Sequence, residues 1–279
     1  MTPMNGLGIS TSKYTFLEPI TNSYSLDSDG TDDYVNLGNS SEIKLTTTDT
    51  SEGVGMSIAI WCKADDWNVI SPLASLFSCV QSGGWDLSWQ GRIVFAIRTG
   101  GSYTSVQSAY KPFESESDAH YRASGWHHFA CTFDGRNVNM YIDGTSEATT
   151  DIGSDDNSME YGTGNKNTDI LIGSDPGTLI GGESGTASGS ASFPGLIDEV
   201  AIWDKVLDLD AVKEIFDAVD VNADTLDLTE DSGDYDYSDD LVGYWKFEEG
   251  TGTTVTDSSD NSNPGTLKNS PGWSATTPT

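Results

Sequence analysis

The most regular alternation of apolar and polar positions lies in residues 125–144, GWHHFACTFDGRNVNMYIDG. Successive strand residues point to opposite sides, so Trp126, His128, Ala130 and Thr132 share one face and His127, Phe129, Cys131 and Phe133 the other. Asp134-Gly135-Arg136-Asn137 predicts a hairpin turn, because Gly and Asn tolerate the positive φ such turns need. Residues 138–142 return, and Asp143-Gly144 reverses the chain again. Residues 56–63 repeat the period, with Met56, Ile58, Ile60 and Cys62 opposite Ser57, Ala59, Trp61 and Lys63. Further strands are predicted at 73–80, 85–89, 93–98, 169–173, 193–204 and 241–247, with Gly83-Gly84, Gln90-Gly91 and Gly100-Gly101 as turns. Within 193–204 the period puts Leu196, Asp198, Val200 and Ile202 on one face. Strand, glycine turn, strand is the rhythm of an antiparallel sandwich.

One stretch switches to helical spacing. Leu209, Val212, Ile215, Phe216 and Val219 recur at intervals of three and four, and Asp208 stands where an N-cap belongs. Elsewhere the pattern fades. Residues 1–22 have no period and read as an N-terminal arm, residues 102–124 as a long polar loop with a short strand, 181–192 as a surface loop of small residues, and 220–240 as an acidic connection. The patterned remainder, 23–279, reads as one domain.

Composition narrows this picture. Thirty glycines and eight tryptophans in 279 residues fit a turn-rich globular β-protein better than a disordered chain. No apolar run approaches the roughly 20 residues of a membrane span, so no membrane insertion is expected. The opening MTPMNGLGISTSKY has neither a basic nor an apolar leader region, which points away from a secretory signal. The net charge of −31 makes nucleic acid an unsuitable partner, since phosphate binding needs basic patches. An acidic surface keeps a crowded protein soluble, and carboxylates can also hold divalent cations. The three cysteines, Cys62, Cys79 and Cys131, lack CxxC spacing and lie in apolar runs, as buried free thiols do.

Seven segments together carry a family resemblance: SDGTDDYVNL, MSIAIWCK, GWHHFACTFDG, NMYIDG, ILIG, FPGLIDEVAIWDKVLDLDAV and GYWKFEEGTGTTVTDSSDNSNPGTLKN. They resemble the concanavalin A-like, laminin-G-like jelly-roll family over residues 24–273. The resemblance implies an all-β fold, a two-sheet antiparallel jelly-roll sandwich with one short helix. In many members the segment like YWKFEEGTGT precedes the one like SDGTDDYV, whereas here it comes last. Either the order is permuted, with strands in 241–273 completing the sandwich, or a truncated second repeat begins there. The absence of a second meander or a second IDEVAIW favours the first. The arrangement also resembles jelly-roll proteins of tailed phages.

The acidic turn Asp27-Ser28-Asp29-Gly30-Thr31-Asp32-Asp33 offers closely spaced carboxylates of the kind calcium takes, and equally the side-chain-to-backbone bonds of an Asx turn. The resemblance implies a structural Ca2+ held by Asp29, Asp32 and the Asp of the IDEV motif, Asp198. His127 and His128 face opposite layers, one as a hydrogen-bonded core histidine and one at a sheet surface; His120 has no distinguishing context. Glucanases of this fold use two glutamates separated by an aspartate on one strand face. Here Glu199 is followed two places on by Ala201, and neither GxSxG nor HExxH occurs, so no enzyme is expected. Aromatic rings can stack on sugars, and Trp85, Trp89 and Tyr103 are the glycan candidates, with Trp67, Tyr110 and Tyr121 beside them. The expected role is a non-enzymatic surface protein of a tailed-phage virion: a decoration, fibre or tail component made in the host cytoplasm. Its partners would be other virion proteins or copies of itself, with weak contact to cell-surface glycans. The alternatives are an extracellular, surface-attached bacterial carbohydrate-binding module and an endoglucanase of the same fold.

Overall fold

The computed structural model describes residues 22–43, 45, 55–67, 70, 73–80, 83–109, 125–153, 159–160, 169–176, 191–222 and 226–278. The arm expected at 1–22, apart from Asn22, and Tyr110, His120 and Tyr121 lie outside the described residues. In chain order the first strands are Ser25–Asp29 (β1), Tyr34–Asn36 (β2), Met56–Ala64 (β3), Ala74–Ser78 (β4), Trp85–Trp89 (β5), Ile93–Thr99 (β6), Ser102–Gln107 (β7) and His127–Phe133 (β8). Asn137–Ile142 (β9), Thr145–Asp151 (β10), Leu171–Ile172 (β11) and Pro194–Trp203 (β12) follow. After the helix Leu209–Asn222 (α1) come Leu241–Trp245 (β13), Thr254–Val255 (β14), Gly265–Lys268 (β15) and Gly272–Ser274 (β16).

Among the described residues these strands make two antiparallel eight-stranded sheets with one α-helix, so the all-β sandwich is the observed fold. The first sheet runs β10-β9-β8-β3-β12-β1-β16, with β13 also on β12; the second runs β14-β15-β2-β11-β4-β5-β6-β7. The strands of 241–273 divide between them: β13 and β16 pair with β12 and β1, and β15 pairs with β2. The alternation read in β3 and β8 holds. Met56, Ile58, Ile60, Cys62, Phe129, Cys131 and Phe133 enter the main core between the sheets, where Trp85, Trp89, Trp245 and Phe77 join them.

A second core lies on the outer face of the first sheet. Directly opposed residues there form a row, Tyr244–Ala201–Ala59–Ala130–Tyr141. Three alanines between two tyrosines leave a trough, and α1 beds into it through Ala211, Val212 and Ile215. Leu209, expected on this face, is 44% exposed, and Ala211 is buried in its place. The reason is the cap: Asp208 Oδ1 accepts the Ala211 N–H at 2.8 Å, so Leu209 opens the first turn over solvent.

Strand β12 departs from strict alternation. Its register against β3 shifts between Asp198 and Ala201, and Glu199 takes a φ of +48°. This bulge places Ile197, Val200 and Ile202 in the main core while Ala201 lies in the outer one, so Leu196 and Asp198 do not share the face of Val200 and Ile202.

Candidate functional site

The acidic turn joins β1 to β2. Gly30 has a φ of +70°, and a Cβ there would stand 2.5 Å from Pro194 Cβ, so only glycine allows the turn to pass β12. Asp29 Oδ1 accepts the Thr31 N–H at 2.7 Å, Asp33 Oδ2 accepts the Asp29 N–H at 3.1 Å, and Asn269 Nδ2 donates to the Asp32 carbonyl at 2.7 Å. These bonds make an Asx-type turn and bring carboxylate oxygens of Asp29, Asp32 and Asp33 within 4.8 Å of one another. Burial first, then the charges of Asp29, Asp32 and Asp27, push the Asp33 carboxyl up, against the pull of its bond from the Asp29 N–H. Three converging carboxylates suit a hard cation such as calcium, which would offset that repulsion. Asp198 does not belong to the group. It is fully buried at the bulge of β12, accepting from the Asn22 amide at 3.0 Å and from the Glu199 N–H at 3.0 Å.

The second sheet corrects the expected aromatic site. Trp85 is 0% and Trp89 is 2% exposed, both turned into the core by the alternation WDLSW, so neither presents a ring to a sugar. The same alternation sends Asp86 and Ser88 to the outer face. Seven directly opposed residues cross that face in a row of mostly small or polar side chains: Thr266, Asn36, Leu171, Ser78, Asp86, Ala96 and Ser105. Asp86 is buried and accepts from the Ser75 hydroxyl at 3.0 Å. Burial pushes its carboxyl up, opposed by the hydroxyls of Ser88, Ser75 and Ser78.

The β6–β7 half of the face is open. Tyr103 on β7 is 46% exposed, and the Arg98 guanidinium lies 5.7 Å from its ring centre. Arg98 Nε stands 3.7 Å from Glu160 Oε2, which also accepts the Gly101 N–H at 2.8 Å. The Tyr103 hydroxyl donates to the Gly83 carbonyl at 3.3 Å, and Arg92 Nη1 to Gln107 Oε1 at 3.3 Å. The ring, the guanidinium and the carboxylate thus stand together beside the small side chains of Ala96 and Ser105. Of the expected glycan candidates among the described residues, Tyr103 is exposed. Asp33 and Asp86 lie in stretches whose patterning does not set them apart, and Glu160 comes from a remote segment that carries no pattern.

Groups that suggest catalysis are placed otherwise. His127 Nδ1 meets Asp143 Oδ2 at 2.8 Å in a buried contact, and His128 lies on the opposite, outer face. The three cysteines are buried, and none is in a disulfide. Glu199 is buried, takes a hydrogen bond from the Tyr244 hydroxyl, and faces Trp61 and α1. Among the described residues no helix is long and apolar enough to cross a membrane.

Two packed antiparallel sheets with a core between them define a jelly-roll sandwich. The family model of the concanavalin A-like lectin/glucanases superfamily, a laminin-G type, matches residues 29–213, and the chain belongs to that family. No curated protein sequence matches it. Among solved structures, a candidate carbohydrate-binding protein from Bacteroides ovatus superposes with a TM-score of 0.57 at 14% identity, covering 92% of this chain. This chain spans 61% of that one's length. The receptor-binding domain of botulinum neurotoxin D (TM-score 0.49, 15% identity, 74% of this chain and 46% of that one) has a similar outline. So does a heptameric SAP-like pentraxin from Limulus polyphemus (0.42, 14%, 70% and 82%).

Proposed function

We propose that this chain is a non-catalytic, lectin-like display module that binds glycan weakly on the open β6–β7 half of its second sheet. Tyr103 carries the reading: of the three large apolar side chains exposed among the described residues, it alone lies on a sheet face beside an Arg–Glu pair. Its ring is the platform for the apolar face of a sugar, and Arg98 and Glu160 supply hydrogen bonds to hydroxyls. The family, which contains lectins, and the similarity of fold to a candidate carbohydrate-binding protein support it. The burial of Glu199, with Ala201 where a second carboxylate would stand, supports a non-catalytic role. On a panel of surface and capsular polysaccharides, Tyr103→Ala should weaken binding roughly two- to tenfold, the worth of one aromatic contact, with an unchanged far-UV spectrum. Equal binding by the variant would refute the site.

The setting we infer is the surface of a tailed-phage virion, with other virion proteins or further copies of the chain as neighbours. The segment order, with GYWKFEEGTGT after IDEVAIWD, and the acidity support it. Mass spectrometry of purified virions tests it; recovery only with a bacterial envelope would favour the surface-attached bacterial module instead.

Calcium at Asp29, Asp32 and Asp33 completes the reading, fixing the β1–β2 turn against Pro194. A bound ion stabilises only the folded state, by about 2.7 kcal/mol at a hundredfold excess over Kd. Chelation should therefore lower the melting temperature of the wild type and leave Asp32→Asn unmoved. A chelator without effect on the wild type disposes of the ion.

A further inference from the structure

His128 sits where the helix meets the sheet. The residue is 1% exposed, its ring centre 5.1 Å from that of Trp61 and 6.3 Å from that of Phe216 on α1. Phe216 in turn stacks on Trp61 at 5.7 Å with 15° between the planes. Neither His128 ring nitrogen has a hydrogen-bond partner among the described residues. A neutral imidazole tolerates such a place at moderate cost, whereas an imidazolium, with two N–H groups and a charge, does not. The layer over it is separable from the rest. α1 and residues around 226–244 pack into their own cluster on the alanine trough, apart from the core between the sheets. Packing beside Trp61 is incomplete as well: a pocket opens between Trp61, Glu199, Tyr244, Ile215 and Val219.

We propose that His128 makes α1 an acid-released flap: proton uptake by the ring frees the helix from the sheet while the two-sheet core stays folded.

The surrounding charges do not receive that proton's charge. On β8 itself, His127 turns to the opposite face and contacts Asp143. From the turn after β9, Asp143 Oδ1 accepts the His128 backbone N–H at 2.9 Å, so the carboxylate is engaged with the main chain and with His127. On β3, Lys63 lies two places beyond Trp61, opposite Leu196. From β12, Asp198 is bonded to Asn22 and Glu199 to Tyr244. On α1, Lys213 pairs with Asp217, and Asp210 and Glu214 belong to the same helix. Burial alone lowers the ring to about 3. An exposed imidazole titrates near 6.5. The closed flap thus selects the neutral ring: closure is complete above about pH 6.5 and weakens about tenfold per unit below it, down to the closed-state value. At pH 5 the open fraction should be about 30-fold higher than at neutrality.

Hydrogen exchange of the full chain at pH 7 and pH 5, corrected for intrinsic rates, tests this. The α1 amides should lose protection about 30-fold while β3 and β8 keep theirs, and His128→Phe should hold α1 protected at both values. An equal loss in His128→Phe, no loss in the wild type, or simultaneous loss in helix and strands would overturn the proposal. A wild-type NMR titration guards against a variant that fails to fold: ring protonation near pH 6.5 with α1 still protected would also overturn it.

Discussion

Glu199 concentrates the cost of this fold in one residue. Its backbone is left-handed at +48°, unusual for a residue with a Cβ, and one carboxyl oxygen has no partner among the described residues. Burial raises its carboxyl to about 8, against the pull of the Tyr244 hydroxyl and Lys246, with Glu248 and Asp227 adding to the rise. A raised acid stabilises the fold fully below its unfolded value, near 4.3, and loses that contribution as pH rises toward 8. Glu199→Gln keeps the shape without the proton. It should match the wild type near pH 5 and exceed it at pH 9 by on the order of 1–3 kcal/mol, read from urea midpoints. Parallel stability curves across that range would show that Glu199 ionises freely. The sequence could not reveal this: Asp-Glu-Val reads as ordinary alternation, and a bulge built on a non-glycine residue leaves no compositional mark. The histidine pair was readable, because adjacent strand residues must face opposite layers.

At the scale of elements, alternation located strands well and openness poorly. WDLSW was visible as β5, yet its tryptophans fill the core and the polar positions between them face outward. Which side of a strand meets solvent depends on the partner sheet, which no single strand encodes. The helix shows the same division. Its spacing found Val212, Ile215 and Val219, but the trough receiving it comes from Ala59, Ala130 and Ala201 on three separate strands. Small residues there look unremarkable in sequence and set how closely α1 approaches. Ala130→Leu should overfill the trough and cost about 1–3 kcal/mol, measured by chemical denaturation, with little loss of strand content. A neutral result would mean that α1 rides on its flanking tyrosines rather than on the alanine floor.

For the whole molecule, strands from residues 241–273 enter both sheets. β13 lies on β12, β15 on β2 and β16 on β1, and Trp245, Phe247, Val255 and Leu267 belong to the main core. Deleting 241–279 removes those side chains and bares three strand edges, so the shortened chain should show no cooperative melting transition in calorimetry. A sharp transition in the truncated chain would favour the second-repeat reading instead. The seven recognisable segments made the architecture legible, and the lack of a second meander pointed to closure by 241–273; which strand each of them pairs with depends on partners remote in sequence.

That closure ties the described start of the chain to its far end. Glu248 accepts the N–H groups of Ser23 and Tyr24, the Ser25 hydroxyl donates to the Thr276 carbonyl at 2.8 Å, and Leu26 stands opposite Trp273. β1 gains its last neighbour only from β16, a strand far removed from it in sequence. Pairings this remote in sequence slow folding, because the entropy of closing so long a loop comes before its reward. The edge of β1 that β16 covers carries Asp27 and Asp29, and like charges along an uncovered strand edge oppose edge-to-edge pairing.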